Sequence, residues 1–171
     1  AYLDLPAIPS RLLKPLVGNQ HGGQITLLPG GMEKNFESES APKGIIFTDF
    51  ETASREYPKE FGKALGKVVD PAEGKFAALT AALTPNGVFV YVPRGVQVKE
   101  PLHSLVWAAG ENLAHFSHLV IWLEEGAELT YVHEVASPNG AQAQTLHGGI
   151  VELCVGAGAN LRFVELQTLG D

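Results

Sequence analysis

LVIWLEEGAELTYVHE, Leu119 to Glu134, is the stretch on which the reading of the fold turns. Leu119, Ile121 and Leu123 fall on one face, with His118, Val120 and Trp122 on the other. That period of two is the mark of a strand. Glu125-Gly126 supplies a turn, because glycine accepts positive φ without steric cost. A second strand follows, with Leu129, Tyr131 and His133 alternating against Thr130, Val132 and Glu134.

The pattern returns downstream in VGAGANLRFVEL, Val155 to Leu166. Gly158 stands where Gly126 stood, Leu161 where Leu129 stood, Phe163 for Tyr131 and Val164 for Val132, always 32 residues on. Upstream, VFVYVPRGVQV (Val88 to Val98) is a weaker copy, with Gly95 standing 31 residues before Gly126. Strand–glycine–strand units at a nearly fixed step predict a β-solenoid, in which each coil buries its face on its neighbours. A β-sandwich of similar hairpins is the alternative that the repeat leaves open.

At 171 residues the chain can bury one sizeable core, or a core with a small appended domain. A hydrophobic content of 45% with 18% charged residues fits a folded protein rather than a disordered one. The net charge of −7, with 12 scattered Lys and Arg, argues against nucleic acid as a partner. The single cysteine, Cys154, has no partner in the chain for a disulfide, which makes a reducing cytoplasm the expected home. No basic segment leading into an apolar core marks a signal peptide, and Leu113 to Leu123 is too short to span a bilayer. The expectation is a soluble protein without membrane contact.

Residues 1–44 are punctuated by proline and glycine, and are expected to wrap another part of the protein or to be partly mobile. Gln24 to Leu28 reads as their only strand, Ser10 to Leu16 as a short helical possibility, and Glu33 to Ser40 as an exposed loop. Residues 45–86 read as a small helical lead-in. A strand at Ile45 to Phe47 meets Thr48-Asp49-Phe50-Glu51, whose Thr-x-x-Glu spacing predicts a capping box and a helix to Glu56. A second helix is predicted from Pro58 to Leu65, ended by Gly66, and a third from Pro71 to Leu83. The third carries Phe76, Leu79, Ala82 and Leu83 on one face. That face is expected to cover the first coil, near Val88 to Val92, as a solenoid cap. From residue 87 the period is two, so 87–171 is read as the start of the β region.

Six histidines and one cysteine raise the question of a metal. His115 and His118, three apart on a strand, point to opposite faces and are poorly placed to chelate one ion. A cupin-type site asks for His-x-His and a nearby Glu, whereas here Glu124 and Glu125 follow His118 by six and seven residues. His133 and Glu134 also face apart, and His103 and His147 sit where the chain re-enters strands. His103, His133 and His147 are each read as a surface or hydrogen-bonded turn residue. Cys154 shares its face with Glu152, opposite Val151, Leu153 and Val155, and lacks ligands spaced for a metal. No phosphate-binding Gly-x-x-x-x-Gly-Lys loop, no Gly-x-Ser-x-Gly elbow and no outstanding pair of carboxylates is present. Catalytic, cofactor-binding and metal residues are therefore each expected to be none.

Five stretches carry a resemblance: GIIFTDFETASREYP, GKFAALTAALTPNGVFVYVPRGVQVKEPL, HLVIWLEEGAELTYVHE, LHGGIVEL and LRFVELQTLGD. Together they resemble the SufB/SufD family of iron–sulfur cluster assembly proteins over most of the chain beyond residue 40. The chain is more similar to SufD than to SufB. SufB proteins carry Gly-Cys after the corresponding strand, where this chain has His133-Glu134-Val135-Ala136, and Asp-Asn where it has Glu73-Gly74. The resemblance implies a right-handed parallel β-helix and a non-enzymatic scaffold that pairs with a SufB-like subunit and a SufC-like ATPase. It also implies further coils beyond Asp171 and a C-terminal segment that docks the ATPase. A cluster is expected only in the full complex, and no cluster ligand is transferred to this half. A cupin-type metal-dependent β-fold enzyme is the competing expectation. An open last coil at Leu161 to Leu169 is expected to drive self-association.

Overall fold

The computed structural model describes residues 7–13, 22–29, 31–35, 44–140 and 144–170. The protein is mainly β, and its strands form two mixed sheets. In the first, β1 (Gly23–Leu28), β5 (Leu102–Trp107), β7 (Glu128–Ala136) and β9 (Asn160–Thr168) run parallel, with β2 (Gly31–Asn35) antiparallel beyond β1. In the second, β4 (Val88–Val92), β6 (Leu113–Leu123) and β8 (Thr145–Val155) run parallel, with β3 (Ile46–Asp49) antiparallel on β4. From β4 onward, consecutive strands alternate between the sheets, and each pairs with the strand two places away.

The opening stretch is therefore two strands about a turn, as its alternation predicts, but not a hairpin. β6 and β7 lie in different sheets, so the sandwich of hairpins does not describe them. The repeat step appears directly as register: Leu129 pairs with Leu161, Tyr131 with Phe163 and Val132 with Val164. The Tyr131 and Phe163 rings stack at 6.2 Å and 5°. Gly95, Gly126 and Gly158 hold φ of 68°, 68° and 65°, a region closed to most L-residues. The turns stack on one another, with Gly95 N–H donating to Glu125 O at 2.9 Å and Gly126 N–H to Ala157 O at 3.0 Å.

One face of every long strand turns into the main core. Val88, Val90, Leu119, Ile121 and Leu123 of one sheet meet Ile25, Leu102, Leu129 and Tyr131 of the other. The outer face of the second sheet is covered by α1 (Phe50–Glu56) and α2 (Pro58–Ala64), whose Ala53, Phe61 and Ala64 pack on Phe89 and Val120. On the outer face of the first sheet, Leu12 packs with Leu105, Trp107 and Ala136. Within residues 7–13, Ile8 and Leu12 are the side chains packed on this face. The helical possibility at Ser10 to Leu16 is described only as far as residue 13, where Leu12 N–H closes a turn onto Pro9 O at 2.9 Å.

Four local expectations are corrected. Gly31–Asn35, which includes the start of the expected loop, is a strand paired with β1. The first helix is capped by Asp49 and not by Thr48: the Asp49 carboxylate accepts from Thr52 N–H at 3.0 Å. The third helix does not run from Pro71. Asp70 and Glu73 do form a capping box, but it closes a single 3₁₀ turn, Pro71–Glu73. Gly74 then breaks the chain before α3 (Lys75–Leu83). Finally, the apolar stripe of α3 does not cover the first coil: Phe76 is 70% and Leu83 53% exposed, and the buried residue of this helix is Thr80. The helix sits instead over β8, where a Cβ on Gly148 would stand 3.2 Å from the Thr80 hydroxyl.

Candidate functional site

Three groups of buried polar side chains are built on these sheets. The first lies between them. Register aligns Ser104, His133 and Glu165 along β5, β7 and β9, while β6 and β8 align His115 with His147 and Ser117 with Gly149. All of these positions share the inward parity of Tyr131 and Leu119. Ser104 Oγ and His133 Nδ1 are 2.8 Å apart, and Ser117 Oγ and His147 Nε2 3.0 Å. The His115 and His147 rings meet edge-on at 5.9 Å. A Cβ on Gly149 would stand 3.3 Å from the His147 ring, a tight contact that the ring would have to ease by a few tenths of an ångström. Ser104, Ser117, His115 and His133 are buried, His147 is half-buried and Glu165 is exposed. The row thus opens toward β8 and β9, which have no outer neighbour among the described residues.

Burial sets the charge of this row. It lowers the pKa of His115 to about 4, with His147 adding to the effect. It lowers that of His133 to about 4 as well, against the opposing pull of Glu165. His147 is lowered by burial and raised in part by Glu165. The three imidazoles are accordingly neutral at pH 7. His115 Nδ1 is buried without a hydrogen-bond partner. The buried Tyr131 hydroxyl faces Ser104 without a well-formed hydrogen bond, and burial raises its pKa.

The second group fastens the helices to the outer sheet face. Glu152, fully buried, accepts from the backbone N–H of Gly66 at 2.9 Å, Val68 at 2.7 Å and Val69 at 3.1 Å. His118 Nε2 stands 2.8 Å from the same carboxylate. Burial would raise the Glu152 pKa, but the bonds from Val68, Val69, Gly66 and His118 together hold it below the usual value. Burial keeps His118 neutral, so it donates to an ionised carboxylate. The third group lies on the other outer face: Gln24 Nε2 donates to Leu12 O at 3.0 Å and stands 2.9 Å from His103 Nδ1, with Glu134 3.4 Å from His103 Nε2.

The faces read from sequence are found: His115 points inward while His118 points out under the helices, and His133 and Glu134 part in the same way. The surface-or-turn reading of His103, His133 and His147 is corrected, for His147 too lies within a strand and is half-buried. His103, His115, His118 and His133 are buried strand residues, and His21 lies outside the described residues. Glu124 and Glu125 stay at the turn, near Tyr91 and Arg94 respectively. Cys154 shares its face with Glu152, and its thiol pKa is raised by burial and by that carboxylate. Among the described residues no group of three or more His, Cys, Asp or Glu side chains is placed to hold a metal ion. Sequence reading missed Ser104, Ser117 and the register position of Glu165 beside His133. The repeat carried that signal, since Glu165 follows His133, and His147 follows His115, by the same step that links Leu129 to Leu161.

Two family models divide the chain between them. Residues 27–103 match the SufBD protein N-terminal region, and residues 106–171 match the SufBD core domain of the SUF system for FeS cluster assembly. The chain belongs to the SufBD family. Similar SufBD proteins include an iron–sulfur cluster assembly SufBD family protein of Staphylococcus epidermidis, 36% identical over 133 residues. Others named in the same way come from Staphylococcus haemolyticus, at 36%, and Staphylococcus aureus, at 35%. Each alignment takes in 78% of this chain and 28% of the relative, so the chain spans under a third of the SufBD relatives it matches. The join between the two SufBD models falls at β5, with the inward polar row almost wholly on the core side. No helix among the described residues is long and apolar enough to cross a membrane.

Proposed function

We propose that this chain is the front part of a SufD-like scaffold subunit in iron–sulfur cluster assembly. The observation that carries this reading is the pair of SufBD family models that together run from residue 27 to residue 171. In it, residues 1–44 are a variable leading segment, 45–86 a helical lead-in and 87–171 the first coils of a right-handed parallel β-helix. Alternation of consecutive strands between two sheets, parallel pairing two strands on and the stacked glycine turns support the β-helix. The SufD preference rests on His133-Glu134-Val135-Ala136 and Glu73-Gly74, where SufB-like chains carry other residues.

The role is non-enzymatic and cytoplasmic, with a SufB-like subunit and a SufC-like ATPase as partners. The scaffold reading is supported by how the buried polar groups are used. Glu152 fastens the helices, Gln24 and His103 fasten residues 7–13, and the backbone turns stack without a nucleophile among them. Co-purification of the full-length protein with SufB-like and SufC-like partners tests it. Recovery of a three-component complex is expected, and a full-length protein that elutes alone in the presence of both partners would overturn it. Metal analysis of the protein as purified addresses the enzyme alternative, which requires a tightly held stoichiometric ion.

A further inference from the structure

Gln24 of β1 stands between residues 7–13 and His103 of β5, and its two neighbours fix which of these groups donate. The Leu12 carbonyl can only accept, so the Gln24 atom 3.0 Å from it is the amide nitrogen. That nitrogen carries donors alone, so His103 Nδ1, 2.9 Å away, must accept. His103 is therefore held neutral, with its proton on Nε2, the nitrogen 3.4 Å from the Glu134 carboxylate. Gln24, His103 and Glu134 are all buried, at 1%, 2% and 5% exposure. The charged groups that the structure places around His103 are Glu134 of β7 and, acting on Glu134 in turn, Arg11 of residues 7–13.

This arrangement does not survive a second proton on the ring. An imidazolium donates from both nitrogens, so Nδ1–H would point at the Gln24 amide nitrogen, donor against donor. Turning the amide over would offer its oxygen to Nδ1–H, but would set that oxygen against the Leu12 carbonyl, acceptor against acceptor. In either position Leu12 O loses its donor, while the imidazolium gains from the Glu134 carboxylate beside it. Leu12 is the residue whose side chain packs with Leu105, Trp107 and Ala136 on this outer face. We propose that Gln24 is a proton-sensitive latch: protonation of His103 turns the Gln24 amide away from Leu12 and releases residues 7–13 from the first sheet, uncovering Trp107. The inference rests on these hydrogen bonds and not on the scaffold reading, which the partner experiment tests separately.

Trp107 reports the latch, with Trp122→Phe making it the one tryptophan of the 171-residue chain. Its emission and its quenching by acrylamide are followed from about pH 8 to about pH 5, the range in which histidine gains its second proton. His115 and His133, which titrate at about 4, stay neutral there. Emission should shift to the red as pH falls, and the open population should grow by about tenfold, the weight of one lost hydrogen bond. His103→Asn, whose amide oxygen can accept from Gln24 but takes up no proton, should keep Trp107 covered across the same range. Gln24→Leu, which removes the donor, should leave Trp107 equally quenchable at both ends. NMR of the unsubstituted chain makes the test independent of any variant's fold: the Leu12 amide should move with the midpoint at which the His103 ring titrates. A Trp107 signal flat across the range, a shift that persists in folded His103→Asn, or a Leu12 amide indifferent to the His103 ring would overturn the proposal.

Discussion

Glu152 of β8 and His118 of β6 meet at 2.8 Å although they are two residues out of register, because β8 pairs Ile150 with His118. The carboxylate reaches diagonally across the sheet to a position where the backbone N–H groups of Gly66, Val68 and Val69 also converge. One side chain thereby joins two strands to the loop after α2.

Glu152→Gln should cost roughly 3 kcal/mol, since an amide nitrogen placed among donors leaves buried groups unpaired. Urea unfolding followed by circular dichroism measures it. A loss below about 0.5 kcal/mol, the range of ordinary surface changes, would show that the loop is held by other contacts.

Acid should loosen the fold in two stages. His115 and His133 titrate at about 4 in the folded chain, below the ordinary 6.5. The unfolded chain therefore binds more protons between these values. The stability from keeping each ring neutral is complete above pH 6.5 and falls as pH drops toward 4, by roughly 3 kcal/mol per ring. Glu152, with its pKa lowered from 4.5, adds stability that is full above that pH and is lost below it. Stability measured against pH should show the upper slope reduced in His133→Gln, and an unchanged slope would assign the acid response to other groups.

Equal leucines should differ along one ladder. Leu129 is 3% exposed within the main core, while its register partner Leu161 is only partly buried on the last strand. Leu129→Ala should cost about 2–5 kcal/mol and Leu161→Ala about half as much, because an open side lets solvent and neighbours relax into the gap. Chemical denaturation of both variants gives the comparison, and equal losses would mean that the last strand is as closed as the one before it.

The helices should separate in the same way. Phe61 fills the space between Phe50 and Phe89, with ring centroids at 4.9 Å and 5.3 Å, so Phe61→Ala should cost about 3–5 kcal/mol. Phe76→Ser on the exposed face of α3 should change stability by no more than about 0.5 kcal/mol. Thermal melts of the two variants test this, and a large loss from Phe76→Ser would show that its face is covered.

The outer edge of β9 carries ladder groups without a strand neighbour among the described residues, and strand addition from a second molecule can satisfy them. The 171-residue chain should self-associate, and Val164→Pro should weaken that association by removing a ladder donor. Light scattering over a dilution series measures it. A monomer at high concentration, indifferent to the substitution, would show that the edge is already satisfied.

Much of this fold was legible because its repeat carries both period and geometry. Gly126 and Gly158 mark turns that only a positive φ can make, and a fixed offset names the register partners of Leu129 and Tyr131. The helical caps were legible only in part. Thr48 and Asp49 both suit the capping position, and only the path from β3 into α1 selects Asp49. The α3 stripe misled because an apolar period shows which residues share a face and not what lies against it; Thr80 went inward because Gly148 leaves room beneath it. Of the site, the face of each histidine could be read from alternation. Its burial could not, because that depends on which sheet or helix lies opposite.

Because strands alternate between sheets, every parallel pair from β4 onward joins residues 29 to 32 positions apart, from Leu102 and Tyr131 to Leu129 and Leu161. The length of chain to be closed is thus nearly the same for each strand that docks. Closure entropy rises only with the logarithm of loop length, so each addition meets nearly the same entropic barrier as the one before. The separation of contacting residues does not grow as strands are added. A chain of this pattern can therefore lengthen without the slowing that distant pairings impose on the folding of other β proteins.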